Sequence, residues 1–332
     1  MDAASPCSHV RVRVPSKINL FLGIRGLRDD GYHELVTVLQ TVSLHDTVVA
    51  HLELRGRTAH PAARRFMELA FSIEGDDTGT VPVDDDNLAV RAARLLMEHR
   101  GIGTANGERV SAEATVGADH GGPITRLQLT KRIPVAAGMA GGSADAAAAL
   151  VALNRLWQAD MARHELAELS AALGADVPFC VTGGTALATG IGTNTAQVLT
   201  RGVYHWVVGI TDQPLSTPAV YRAFDEVGTS RGTEPDAVLQ SLRTGDPEAL
   251  GAALHNDLES AAIHLLPELA GRRDAMLAAG ALGAMVSGSG PTIVALAPDA
   301  IAARAIAERV AADFDRVEVA MSPAGGPEIA ER

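Results

Sequence analysis

The sequence predicts an α+β protein of two domains. Three observations lead there. The chain has 332 residues, 47% of them hydrophobic, enough for about two cores. Both halves mix alternating strand patterns with helical spacings. A glycine-rich break also leads from a strand into an alanine-rich helix in the middle of the chain. The linker is expected near 196–203, which gives domains over 1–198 and 199–332.

Taken in order, Val10, Val12 and Val14 alternate with arginines as in a half-buried strand. Pro15 and Ser16 break that pattern, and Ile18 to Ile24 reads as a second strand. Arg28-Asp29-Asp30-Gly31 is a turn signal. Residues 55–86 read as rich in loop, with Gly75, Gly79 and Pro82. Leu88, Ala92, Leu95 and Leu96 have helical spacing within Asn87 to Arg100, and Gly101 ends that helix. Residues 101–123 hold six glycines and read as an exposed insertion. Leu127 to Leu129 is a short strand; helices follow at about Ser143 to Trp157 and Met161 to Leu173. Gly183, Gly184 and Gly190 punctuate strand-like material up to Leu199. The second half starts with an apolar strand, Trp206 to Ile210. Helical stretches are expected at 218–227, 235–243, 247–265 and 267–279. A strand, a Gly/Ser turn at 287–290, a strand from Thr292 to Leu296, a helix at 299–312 and a strand from Val317 to Met321 complete the chain.

A net charge of −12 argues against a general nucleic-acid surface, because phosphate backbones demand a basic one. Any phosphate site must be local. The 28 basic residues comprise 26 arginines and only two lysines, Lys17 and Lys131. A lysine is therefore informative here, being a compact point charge where arginine is a broad planar fork. Cys7 and Cys180 are too far apart in sequence for a disulfide framework or a metal motif, which fits a reducing cytosol. No apolar run approaches ~18 residues and the first 30 lack a leader's apolar core, so a cytoplasmic protein away from the membrane is expected.

The most informative segment is Pro134-Val135-Ala136-Ala137-Gly138-Met139-Ala140-Gly141-Gly142-Ser143-Ala144-Asp145. Small residues let a backbone come close to a ligand, and a helix N-terminus offers unpaired N–H groups with partial positive charge. Together they make an anion site, most simply for nucleotide phosphates. Ser143 could cap the helix or meet phosphate or magnesium. Neither lysine follows a glycine, so this is no Walker A loop, and the G-x-G-x-x-G dinucleotide pattern is absent. A tight strand-to-helix turn is the plain alternative.

Three further segments are ambiguous singly. Pro15-Ser16-Lys17-Ile18-Asn19-Leu20 places the rare Lys17 at a strand start. Gly174-Ala175-Asp176-Val177-Pro178-Phe179 places a carboxylate between a helix end and a proline, where a capping or turn role is common. Val286-Ser287-Gly288-Ser289-Gly290-Pro291-Thr292 is a small-residue turn between strands.

In this order and combination, the four segments resemble the motif set of the GHMP kinases, and the match spans most of the chain. The resemblance extends to the branch that phosphorylates a cytidylylated methylerythritol. It rests on Pro15 to Leu22, Asp30-Gly31-Tyr32-His33-Glu34-Leu35, Gly174 to Phe179, Ser216-Thr217-Pro218-Ala219-Val220-Tyr221 and Asn256-Asp257-Leu258-Glu259. Ala144 stands where many relatives have a second serine, and Met139-Ala140 where Leu-Gly is common. The stretches near 55–80 and 101–123 are longer than usual for the family.

The resemblance implies a two-domain fold with the active site in the cleft between domains, including a left-handed βαβ crossover, an exception to the usual hand. It implies ATP and Mg²⁺ as cofactors and a step of the non-mevalonate isoprenoid route. The Pro134–Ala144 loop would hold the ATP phosphates, and Asp176 would take the proton of the attacking hydroxyl. Lys17 would sit beside Asp176 and steady the developing alkoxide. Asn19 and Thr217 would line the methylerythritol side. His33 would bond the cytosine edge and Tyr221 would stack on the ring, with Tyr32 a further aromatic; Asn87 would lie near the adenine. The remaining histidines show no metal spacing. The expected partner is a small molecule, with no nucleic acid or membrane, and the protein a monomer or homodimer. A kinase for another alcohol, or a nucleotide-binding regulator without catalysis, stays open.

Overall fold

The computed structural model describes residues 9–53, 66–76, 78–104, 123–227, 230 and 232–330. The alternation that starts at Val10 continues past Pro15 as a single strand, β1 (His9–Leu27). Proline cannot donate to a ladder, so Pro15 and Ser16 mark a β-bulge rather than the expected strand end. The turn at Arg28–Tyr32 reverses the chain, closed by Arg28 N–H to Tyr32 O at 2.8 Å. It leads into β2 (His33–Glu53), antiparallel to β1. β3 (Phe66–Gly75) replaces the loop expected there; Met67, Leu69, Phe71 and Ile73 supply its apolar alternation. Most of the expected insertion, 105–122, lies outside the described residues.

Helix α1 (Leu88–His99) forms where its spacing predicts. Asn87 caps it, accepting from Ala89 N at 2.9 Å and donating to Pro82 O at 2.8 Å. After β4 (Gly103–Thr104), β5 (Ile124–Lys131) returns parallel to β3 and antiparallel to the C-terminal half of β2. The N-terminal half of β2 pairs with β6 (Thr185–Gly190), which pairs with β7 (Asn194–Gln197). Between β5 and β6 lie α2 (Gly141–Leu156), α3 (Arg163–Ser170) and α4 (Val177–Thr182). The alanines 146–149 of α2 are wholly buried. Small side chains let this helix lie close to β1, β2 and α1.

The second half forms a four-stranded antiparallel sheet in the order β10 (Gly283–Val286), β11 (Ile293–Ala297), β8 (Tyr204–Ile210), β12 (Arg316–Ser322). Its helices are α5 (Thr217–Val227), α6 (Asp236–Thr244), α7 (Pro247–Ala253), α8 (Glu259–Leu265), α9 (Glu268–Ala278) and α10 (Ala300–Val310). The single helical stretch expected over 247–265 is α7 and α8 separated by β9 (His255–Asn256). β9 joins β1 in parallel, and β13 (Glu328–Ile329) pairs antiparallel with β1 on the edge opposite β2. The second half of the chain therefore completes the first sheet, and one buried cluster runs from Val12 and Leu129 to Trp206 and Val294. Among the described residues no helix is long and apolar enough to cross a membrane.

Beneath the start of α2 lies a buried ion triad. Lys131, at the end of β5, bonds Asp46 of β2 and reaches Asp145 Oδ2 at 2.9 Å. Their side chains are 2%, 0% and 4% exposed. Asp46 Oδ1 also accepts from Arg132 N and Ile133 N at 2.6 and 2.8 Å. Burial pushes the Asp145 carboxyl well above its usual range; Lys131 pulls it back and Asp46 pushes it up again. Asp145 Oδ1 has no partner among the described residues. Removing one member of such a cluster strands the others. Lys131→Met is expected to cost ~3–5 kcal/mol in urea unfolding, and adding Asp46→Asn and Asp145→Asn should recover part of it. A loss below ~1 kcal/mol would show that the ammonium does not compensate the two carboxyls.

Candidate active site

A cleft of about 880 Å³ opens between the glycine-rich loop, β1, α4, α5 and the turn after β10. The loop owes its shape to left-handed residues: Ala136 (φ 53°), Gly138 (φ 70°) and Ala140 (φ 55°). Two of these are not glycine, a backbone cost that functional loops often carry. Ala140 occupies the N-cap of α2 and offers no side-chain cap. The first intrahelical bond is Ala144 N to Ala140 O, so the N–H groups of Gly141, Gly142 and Ser143 precede the ladder and face the cleft region. Ser143 lines the cleft and does not cap the helix. Pro134, Val135, Met139 and Ala144 do not line the cleft; Met139 and Ala144 are core residues. The part of the loop that lines the cleft is thus Ala136 to Ser143, less Met139.

The turn at Ser287–Gly290 backs this loop. A Cβ added to Gly138 would lie 2.3 Å from Ser287 O. A Cβ on Gly288 would lie 3.2 Å from Asn19 Oδ1 and 3.6 Å from Lys17 Nζ. Backbone therefore meets backbone with no room for a side chain.

Lys17 and Asp176 come together from β1 and the start of α4, 3.8 Å apart. Lys17 is held by Asn19 Oδ1 at 2.8 Å and Gly138 O at 3.2 Å. Asn19 Nδ2 in turn donates to Thr37 Oγ1 at 2.8 Å, and Thr37 donates to Phe21 O at 2.6 Å. The chain of bonds fixes the amide so that its oxygen faces the ammonium. Asp176 sits at the N-cap position of α4 yet makes no capping bond, and its side chain is 37% exposed against 7% for Lys17. Its carboxylate is therefore available to the cleft, and the common capping role does not apply.

At the other end, His33 Nε2 lies 2.7 Å from Asp225 Oδ1 on α5. The His33 ring stacks on Tyr221, centroids 5.0 Å apart at 27°. Burial, with the charge of Asp176 adding to it, pushes the Tyr221 hydroxyl up to about 12. Tyr32 stands on the rim, 64% exposed. Thr217 Oγ1 lies 2.8 Å from Ser289 Oγ, joining α5 to the turn. The expected residues Lys17, Asn19, Tyr32, His33, Asp176, Thr217 and Tyr221 all line the one cleft. Asn87 does not; its Oδ1 caps α1 and its Nδ2 donates to Pro82 O. Thr37 and Asp225 were not foreseen, since a threonine in a strand and an aspartate on a helix face carry no local signal. Lys131 was flagged by its rarity alone. Among the described residues no group of three or more His, Cys, Asp or Glu could hold a metal ion.

Family models for the GHMP kinases N terminal domain and the GHMP kinases C terminal match residues 87–184 and 238–316. The chain is 46% identical over 316 residues to the 4-diphosphocytidyl-2-C-methyl-D-erythritol kinase of Salinispora tropica, covering 93% of this chain and 89% of that one. It is 43% identical to the protein of the same name from Streptomyces avermitilis, covering 96% and 99%. A crystal structure of a 4-(cytidine 5'-diphospho)-2C-methyl-D-erythritol kinase superposes with a TM-score of 0.72 at 33% identity, covering 95% of this chain and all of that one. A homoserine kinase from Cytophaga hutchinsonii shares the fold, with a TM-score of 0.71 at 19% identity over 99% and 100% of the two chains.

The loop–turn contact makes a direct test of the anion site. Gly138→Ala puts a methyl group into the Ser287 carbonyl and a side chain on a left-handed residue. ATP affinity measured by calorimetry should fall about tenfold or more, a loss of ~1.4 kcal/mol. A folded variant that binds ATP as tightly as the parent would remove the loop from the nucleotide site.

Proposed function

The chain belongs to the GHMP kinases, and from that premise we propose that it transfers the γ-phosphoryl group of ATP to the 2-hydroxyl of 4-diphosphocytidyl-2-C-methyl-D-erythritol. The products are ADP and the 2-phosphate, a step of the non-mevalonate route to isoprenoids. The observation that carries the reading is the position of the Lys17–Asp176 pair. It stands between the unladdered N-terminus of α2 and the aromatic end built from His33 and Tyr221.

Phosphoryl transfer needs positioning and charge neutralisation more than covalent chemistry. The N–H groups of Gly141, Gly142 and Ser143, with the dipole of α2, hold the phosphates of ATP. Asp176 accepts the proton of the attacking hydroxyl, and its freedom from capping duty supports that role. Lys17, fixed by Asn19 and Gly138, steadies the oxygen that gains negative charge. When bound, Mg²⁺ would supply positive charge that offsets that of the phosphates. Ser143 and Asp176, oxygen donors that line the cleft, fit an ion that takes few protein ligands beside phosphate.

The cytidine end is read by shape and by hydrogen bonds. With Nε2 engaged by Asp225, the other ring nitrogen of His33 is left for the base edge. Tyr221 has one face against His33 and stiffens it, a closer involvement with the imidazole than stacking on the base alone. Tyr32 offers the exposed aromatic face at the rim.

Three variants test these assignments. Tyr32→Ala should raise KM for the cytidylylated alcohol, since stacking a base on an aromatic is worth ~1–3 kcal/mol, and leave the ATP KM unchanged. Equal effects on both KM values would move Tyr32 out of the base site. Asp176→Asn should lower kcat by about 10²–10⁴-fold, the usual contribution of general-base catalysis. Lys17→Ala should also lower kcat severely, and the double variant should lose less than the product of the two, because the groups act as a pair. Near-normal turnover in a folded Asp176→Asn protein would sink the mechanism.

A further inference from the structure

The segment Asn256–Glu259 has no part in the reaction described above, yet it is tied by side chains to both halves of the site. Asn256 and His255 form β9 beside Leu22 and Phe21 of β1. Asp257 N donates to Leu22 O at 2.9 Å, and Asp257 Oδ2 accepts from Ile24 N at 2.8 Å. Glu259 Oε2 accepts from Val286 N at 3.1 Å. Asn256 Nδ2 donates to two carbonyls at once, Val286 O and Gly288 O, each at 2.8 Å. Its Oδ1 accepts from Leu258 N at 3.0 Å, which fixes the orientation of the amide. The segment thus clamps the strand that carries Lys17 to the turn that backs the phosphate loop.

The bond to Gly288 O has a consequence for the next residue. The Gly288–Ser289 peptide is trans; among the described residues only Gly290–Pro291 and Ser322–Pro323 are cis. In a trans peptide the C=O and the following N–H point in opposite directions. With Gly288 O turned to Asn256, the Ser289 N–H points away from it. Gly288 and Ser289 line the cleft and Asn256 does not. The Ser289 N–H has no acceptor among the described residues. Its side chain is already placed by Thr217 Oγ1 at 2.8 Å. A mostly buried backbone donor without a partner is uncommon, and a donor aimed into a site is what a ligand oxygen requires.

We infer that Asn256 is a positioning residue that, by holding the Gly288 carbonyl, aims the Ser289 N–H into the cleft as a donor to the oxygens of the phosphoryl group in transfer. This rests on the kinase reading above. A donor fixed before the reaction stabilises charge as it spreads over those oxygens, with no reorganisation when the group moves. Asn256 is suited to the task because one amide nitrogen reaches both carbonyls; an aspartate there would oppose them, having no donor.

The test compares the parent with Asn256→Ala and with a protein whose Gly288–Ser289 amide is an ester, made by placing an α-hydroxy acid at 289. The ester removes the N–H and makes the Gly288 carbonyl a weaker acceptor, while the Ser289 side chain and the trans geometry are kept. It should lower kcat by about 10²-fold, the effect of losing one such donor. Asn256→Ala should lower it by about tenfold or more. Both KM values and the affinity for ADP should stay within about threefold of the parent, since the donor serves the group in transfer. Affinity for ADP with aluminium fluoride, a mimic of that group, should fall with kcat. A clamp with a purely structural role would instead lower the melting temperature and leave kcat, measured in the cold, unchanged. An ester protein with the parent's kcat and the parent's affinity for the mimic overturns the inference, including where Asn256→Ala does not fold. A parent that binds the mimic but does not turn over the cytidylylated alcohol would overturn the choice of substrate instead, and the mimic's affinity would still decide on Ser289.

Discussion

The contact between Gly138 and the Ser287–Gly290 turn is the constraint from which the site follows. Two backbone segments, one ahead of α2 and one between β10 and β11, meet where a single Cβ would lie 2.3 Å from a carbonyl oxygen. Lys17 fits beside that contact, bonded to Gly138 O and close to Gly288. Its backbone N–H also donates to Met139 O at 3.3 Å, so β1 and the loop share one register. Any widening of the contact would move the ammonium and the α2 N-terminus apart. Small residues at 138 and 288 are therefore geometric necessities, and the left-handed φ of both makes glycine the residue that meets them at least cost.

Electrostatics had to be solved locally, because the chain as a whole is acidic. The two lysines stand on either side of the phosphate loop. Lys17 contacts its carbonyl at Gly138, and Lys131 Nζ would lie 3.1 Å from a Cβ on Gly141. An arginine fork would not fit in either position without displacing backbone, whereas an ammonium is compact. Only Lys17 faces the cleft. Lys131 is neutralised from below by Asp46 and Asp145, so it braces the loop rather than attracting the ligand. The attraction that remains comes from Lys17, from the N–H groups of α2 and from Arg222, which also lines the cleft.

Much of this was legible in sequence where the signal is local. Helix α1, the turn at Arg28–Gly31 and the strand–loop–helix of the anion site follow from spacing and small residues. The proximity of Lys17 and Asp176, far apart in the chain, came only with the family resemblance. Other features had no local signal to read. β9 and β13 are two residues each, too short for any periodicity, and they exist because β1 has free edges to pair. The bulge at Pro15 looked like a strand end, since the missing N–H of proline serves either purpose. Asn87 does not line the cleft: its Oδ1 caps α1 and its Nδ2 donates to Pro82 O.

The same geometry ties the His33–Tyr221 end of the cleft to the glycine-rich loop. Ser289 bonds Thr217 at the first turn of α5, and α5 carries Tyr221 and Asp225, which fix His33. The other side of the turn touches Gly138, Lys17 and Asn19. A shift of α5 that adjusts the base end must therefore pull on the turn, and through it on the phosphate loop, since packed backbone transmits displacement rather than absorbing it. Binding energy gained far from the reacting hydroxyl can in this way be used to set the distance between hydroxyl and phosphate, where positioning matters most. A cleft built as two independent pockets would lack that link. Here the link is a four-residue turn, held on one face by Asn256 and on another by Thr217.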